Sequence, residues 1–154
     1  TRLLSRLAKE RRPDIAAAVL RWLELAEVEV NVFHYGAVLG AYARAGEWAH
    51  ALAILGAMAE RGVEANTVTC SAAISACEKG GEWATALHLL DEMVRHEIET
   101  NTVTYGTAIG ACQQEGGWMR ALELLGVMAR KSIEASTIAC NAAISACERG
   151  REWA

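Results

Sequence analysis

Cysteine and histidine are the side chains here that could ligate a metal or attack a substrate, and their spacing decides whether they do. Cys70, Cys77, Cys112, Cys140 and Cys147 include no pair at CxxC spacing, and His34, His50, His88 and His96 form no cluster with them. Zinc sites are built from three or four such ligands at short paired spacings. His96-Glu97 lacks the second histidine of a zinc-protease helix, and no His-x-Glu accompanies a cysteine pair as in nucleobase deaminases. No nucleophile stands paired with a base. Gly80-Gly81 and Gly116-Gly117 read as turns between helices rather than as a phosphate cradle. The stretch is therefore read as non-enzymatic, with no metal and no cofactor. The cysteines are expected as buried thiols, since free cysteine is among the most buried residue types, and such thiols suit a reducing compartment.

What the cysteines do share is a period. Cys77, Cys112 and Cys147 are 35 residues apart, as are Trp48, Trp83, Trp118 and Trp153, and Met58, Met93 and Met128. A fixed step of this size is the signature of a solenoid of repeated hairpins. The copies run 32–66, 67–101 and 102–136. Residues 1–31 fit more loosely and 137–154 are incomplete, so 1–154 reads as one array and as an excerpt of a longer chain. Any targeting segment would then lie outside it. No run approaches the 18 or so apolar residues of a membrane span.

The copy Thr67–Asn101 shows what each unit builds. Cys70, Ala73, Ile74 and Cys77 fall at i, i+3, i+4 and i+7, one face of a helix. Ser71, Ser75, Glu78 and Lys79 take the opposite, polar face. Gly80-Gly81 breaks the helix. Trp83, Ala86, Leu87, Leu90, Met93 and Val94 then mark a second helix of about three turns. Asn66 and Asn101 suit the N-cap of the helix that follows each. Pro13 stands in the tryptophan column, where the first turn of a helix tolerates it. First helices are thus expected over 1–9, 32–44, 67–79, 102–114 and 137–149. One hairpin cannot bury both faces, whereas a stack of hairpins can.

A 35-residue hairpin with Val103-Thr104-Tyr105 opening its first helix, and Ala121-Leu122-Glu123-Leu124-Leu125 and Met128 in its second, resembles the pentatricopeptide repeat family. The resemblance spans essentially the whole chain and is weakest over 1–31. It implies an all-α, right-handed superhelical α-solenoid whose first helices line a groove for single-stranded RNA, one base per repeat, read by two side chains. The pairs it implies are Thr1 with Asn31, Gly36 with Asn66, Ser71 with Asn101 and Gly106 with Ser136, with Asn141 lacking its partner. Phe33, Val68, Val103 and Ile138 would flank the bases. Lys9, Arg44, Lys79 and Arg149 would meet phosphates, with Gln114 interrupting that column. A small hydroxyl paired with asparagine implies adenine, and asparagine in the first place implies a pyrimidine, so the chain would weakly prefer A-x-A-x-Y. The family further implies service in organelle RNA processing, stability, editing or translation, in mitochondrion or chloroplast, alongside other proteins of an RNA-processing complex.

Two features complicate that expectation. The chain is acidic, with a net charge of −4, where nucleic-acid binders are usually basic. The first helices, however, hold six basic residues against Glu78 and Glu148, so the acidity lies in second helices and connectors. The copies also alternate. Tyr35-Gly36 with Gly40 and Tyr105-Gly106 with Gly110 give way to Cys70-Ser71 with Ser75 and Cys140-Asn141 with Ser145. Either the glycine copies are spacers that accept any base, or a two-copy block was duplicated and the glycines are degenerate. The competing class is a protein-interaction scaffold, in which the same groove takes a peptide. Without polar capping repeats, the end faces are expected to be apolar, Trp153 poorly packed, and the chain prone to associate end to end.

Overall fold

The computed structural model describes residues 2–10, 12–114 and 116–151. Thr1 and Trp153 lie outside the described residues. Within them the chain forms α1 (Arg2–Lys9), α2 (Pro13–Leu25), α3 (Val32–Ala45), α4 (Trp48–Glu60), α5 (Thr67–Gly80), α6 (Trp83–Arg95), α7 (Thr102–Ala111), α8 (Trp118–Arg130) and α9 (Thr137–Arg151).

Local chemistry sets these boundaries. Asn31, Asn66 and Asn101 are extended N-caps whose side-chain oxygens accept from backbone N–H groups in the first turn of α3, α5 and α7. The third helical residue returns a side-chain acceptor to the asparagine N–H, closing a reciprocal box: His34, Thr69 and Thr104. At the other end, Gly46 and Gly81 sit in the left-handed region at φ 73° and 77°. The next residue bonds back around the end, Glu47 N to Tyr42 O at 3.1 Å and Glu82 N to Cys77 O at 2.9 Å. Second helices stop in the same way at a column where glycine appears once: Glu27, Gly62, Glu97 and Ser132 have φ of 55°, 68°, 56° and 56°.

One expected boundary is corrected. α7 ends at Ala111, not at residue 114, and Cys112 is its C-cap. Gly117 stands where the other copies have Glu47 and Glu82. A Cβ there would run into the carbonyl oxygen of Cys112. Without one, the chain folds closer and the helix is cut short.

The packing is asymmetric. Each first helix contacts the next, α1 to α3 to α5 to α7 to α9, whereas α2, α4, α6 and α8 lie against first helices. The row whose neighbours touch is the shorter arc, so first helices form the inner wall. The polar face of the first helices is therefore partly covered. Ser71, Ser75 and Glu78 are half-buried, because α5 is covered on one flank by α3 and on the other by α7. Burial raises the Glu78 carboxyl above its ordinary value, against the opposing pull of Lys79. A Cβ on Gly110 would collide with the Glu78 carboxylate, so this glycine makes room for the neighbouring copy. Gly80 and Gly150 play the same part for the indole rings of Trp48 and Trp118. Two further bonds close a hairpin on itself, tying the connector after its second helix back to the start of its first: Thr67 Oγ1 donates to the Glu99 carbonyl at 2.7 Å and Thr102 Oγ1 to the Glu134 carbonyl at 3.0 Å.

Cys70, Cys77 and Cys112 are core residues, and burial pushes the Cys77 and Cys112 thiols up to about 11. Cys140 and Cys147 are only half-buried, a correction to the expected uniform burial. α9 has α7 and α8 on one side, and no described helix covers the other. Leu3, Trp22 and Leu25 at one end, and Leu122 and Ile144 at the other, are exposed.

Two glycine substitutions separate packing from propensity. Gly106→Ala puts a methyl 3.9 Å from Ala139 Cβ, an ordinary contact, and should stabilise by about 0.5–1 kcal/mol through helix propensity. Gly80→Ala collides with Trp48 and should instead destabilise by about 1–3 kcal/mol. Urea unfolding of the two variants checks the opposite signs.

Candidate functional site

The first turns of α3, α5, α7 and α9 lie one above another on the inner wall, and the residues expected to read a ligand fall there. Phe33, Val68, Val103 and Ile138 are each the second residue of a first helix. They are 69%, 67%, 65% and 79% exposed, although all four are large and apolar. Single exposed apolar side chains are common and need no explanation. Four at a constant step along one wall form a ladder of apolar ledges.

Asn31, Asn66 and Asn101 are exposed beside this ladder, and Ser136 is half-buried. All four cap the helix that follows. Asn101 Oδ1 accepts from Thr104 N at 3.0 Å, Asn66 Oδ1 from Thr69 N at 3.0 Å, and Ser136 Oγ accepts from Ala139 N at 3.2 Å. Capping fixes how each amide is turned, because only its oxygen can face a backbone N–H. The NH2 group is left as the free end, a donor. At the start of α3, His34 Nδ1 accepts from Asn31 N at 3.1 Å, a place held by threonine at 69 and 104.

The partner position differs between copies. Ser71 is half-buried, and its Oγ lies 3.2 Å from Thr104 Oγ1 in the next hairpin. Gly36 and Gly106 face the same way without a side chain. A Cβ would lie 3.8 Å from Thr69 Cγ2 and 3.9 Å from Ala139 Cβ respectively, so both have room for one. Asn141 is exposed. The structure thus brings Ser71 and Asn101 together through Thr104, while the Gly36 and Gly106 pairs have no side chain to bring. The Thr1–Asn31 pair falls partly outside the described residues.

Lys9, Arg44, Lys79 and Arg149 are all exposed near the far ends of their helices. Arg149 is already engaged: its Nη1 donates to the Gln113 carbonyl at 3.1 Å, a group left open by the early end of α7.

Thr104 figures in the sequence only within the Val103-Thr104-Tyr105 opening and carries no expected site role there. It is 0% exposed and has no apolar character to mark it. The signal was present as Asn-x-x-Thr, the spacing of a reciprocal cap, at Asn66–Thr69 and Asn101–Thr104.

Among known proteins, a family model described as pentatricopeptide repeat-containing protein matches residues 2–127. No curated protein sequence matches the chain. Among solved structures, PPR10 in complex with an 18-nt psaJ RNA element is 26% identical with a TM-score of 0.81, over 96% of this chain and 22% of that one. The pentatricopeptide repeat protein PPR10 from maize is 21% identical with a TM-score of 0.79, over 97% and 22%. The PPR domain of Arabidopsis thaliana protein-only RNase P 1, in complex with tRNA, is 16% identical with a TM-score of 0.78, over 99% and 87%. The chain therefore spans about a fifth of PPR10 and most of the latter domain. These likenesses carry the fold, the all-α, right-handed superhelical solenoid.

The capping role of Asn101 gives a stability test. Asn101→Ala should cost about 1 kcal/mol, whereas Asn101→Asp keeps the capping oxygen and should stay within about 0.5 kcal/mol of the parent. Equal losses in denaturant titrations of both would contradict the assignment of Oδ1 to the cap.

Proposed function

The chain belongs to the pentatricopeptide repeat family, and from that premise we propose that it binds single-stranded RNA along its inner wall, one base per repeat, without catalysing a reaction. The observation that carries the reading is the ladder of Phe33, Val68, Val103 and Ile138, apolar and exposed at one level of α3, α5, α7 and α9. Bases stack on apolar and aromatic ledges whatever their sequence, and such stacking contributes about 1–3 kcal/mol per base where the ledge is aromatic. Next to the ladder stand the polar groups that would distinguish one base from another. The first-helix cations stand at the opposite end of the same wall, where a phosphate backbone would run, and the net acidity of the chain lies elsewhere.

In this reading 1–154 is one continuous array with repeat borders after residues 31, 66, 101 and 136. Thr1–Asn31, Gly36–Asn66, Ser71–Asn101 and Gly106–Ser136 read successive bases from the 5′ side, followed by Asn141. Lys9, Arg44 and Lys79 meet phosphates, joined by Arg149 from its anchored position. The Gly36 and Gly106 copies accept any base, since they present an asparagine or serine cap and nothing opposite it. The relatives whose structures hold RNA support the ligand class. The family supports a role in organelle RNA processing, stability, editing or translation, in mitochondrion or chloroplast and with other proteins of such a complex. The apolar residues at both end faces favour end-to-end association of the isolated chain.

Ser71 is the place to test base reading. RNAs differing only at the nucleotide facing Ser71 should bind with A preferred by about tenfold, the worth of about 1.4 kcal/mol. Ser71→Asn should move the preference toward C or U. If parent and variant both bind all four bases alike, base reading by this pair is wrong, and a peptide scaffold becomes the better account.

A further inference from the structure

The contact between Ser71 and Asn101 runs through a residue of the following repeat, and counting protons decides what each presents to a ligand. Thr104 Oγ1 has one hydrogen and lies 3.0 Å from Asn101 Oδ1, 3.2 Å from Ser71 Oγ and 3.4 Å from Asn101 N. Asn101 Oδ1 can only accept, and the backbone N–H can only donate. The Thr104 hydrogen must therefore go to Asn101 Oδ1, since otherwise two acceptors would face each other at 3.0 Å. The contact to Ser71 is then a bond only if Ser71 donates. The Ser71 lone pairs are left outward as acceptors, and the Asn101 NH2 is left outward as donor.

We infer that Thr104 is a specificity-determining positioning residue, which sets Ser71 as acceptor and Asn101 as donor, so that the repeat takes a base with an exocyclic amine beside a ring acceptor. Adenine has that edge in N6–H and N1, and cytosine in N4–H and N3. Guanine and uracil present the reverse, a carbonyl oxygen beside a ring N–H. A reversed edge leaves donor against donor and acceptor against acceptor, so the wrong base loses both bonds at once. The inference rests on the RNA reading proposed above and deepens it, because the base read by one repeat is governed partly by the repeat that follows.

The same position explains why this copy differs from its neighbours. Opposite Gly36, Thr69 Oγ1 accepts from Asn66 N at 2.9 Å and gives its hydrogen to the Asn66 carbonyl at 3.0 Å, a closed local loop. Opposite Gly106 stands Ala139, which has no hydroxyl. Among the described residues, the relay of reader, threonine and capping asparagine is complete only at Ser71, Thr104 and Asn101. Thr104 is fully buried, so it acts through its neighbours and does not touch the ligand.

The test uses adenosine and inosine, which share a ring system and reverse its edge. Uridine-rich nonamers carry one adenosine, or one inosine, at each position in turn, and are titrated by fluorescence anisotropy against the 154-residue chain. The parent should prefer adenosine by about tenfold at one position. Thr104→Val, of the same shape, should bring that ratio to within about threefold of one, because Ser71 is then free to donate or accept. Thr104→Ser should restore the parent ratio, and Thr104→Cys, run alongside, serves should valine disturb the packing. A uniform loss of affinity with the adenosine-to-inosine ratio intact would reduce Thr104 to a packing residue and overturn the inference alone. A parent chain that binds the nonamers with no adenosine preference at any position would overturn the inference, and one that binds none of them would overturn the RNA reading with it.

Discussion

The contact of first helix against first helix is the constraint on which the rest of this molecule depends. A helix whose two flanks are both covered needs small side chains where its neighbours come closest, and α5 places Ala72 and Ala76 in the core it shares with α3 and Ser71 against Thr104 of α7. Where a larger group enters, the neighbour gives way, as Gly110 does for Glu78 and Gly80 for Trp48. The alternation of copies is thus partly a matter of fit between unlike surfaces, which neither spacing nor degeneracy had foreseen. It is only partly so, since a Cβ on Gly36 or Gly106 would make no more than an ordinary contact with the next hairpin.

Close stacking has a second consequence. It brings the first turns of successive helices into register, so that the group capping one helix lies beside the outward residue of the helix before it. An asparagine there serves two structures. Its oxygen satisfies the backbone of the following helix, and this commitment turns its amine outward. The orientation of a candidate binding group is thereby set by helix formation itself, before any ligand arrives. Such preorganisation lowers the ordering cost of binding.

What could be read from the sequence was what repeats and what is local. The 35-residue step, the two helices per copy, the asparagine caps and the turn glycine Gly81 all follow from near neighbours in the chain. Three things did not follow. The half-burial of Ser71, Ser75 and Glu78 was not legible because apolar periodicity marks large core residues and cannot register burial among alanines and serines. The shortened α7 depends on Gly117 letting the chain approach Cys112, a contact that a glycine pair alone does not specify. The anchoring of Arg149 on Gln113 and of Ser71 on Thr104 crosses between repeats. Each partner there is ordinary in its own copy, and only the stack brings them together.

The central claim is that the apolar ladder meets successive nucleotides, one per repeat. A photo-crosslinking amino acid placed at Val68, or in a second protein at Val103, would measure this directly on an RNA of defined sequence. The account predicts crosslinks at adjacent nucleotides, with the one from position 103 a single step to the 3′ side. Crosslinks from both positions to the same nucleotide, or at a level no higher than from a second-helix position such as Leu89, would contradict it.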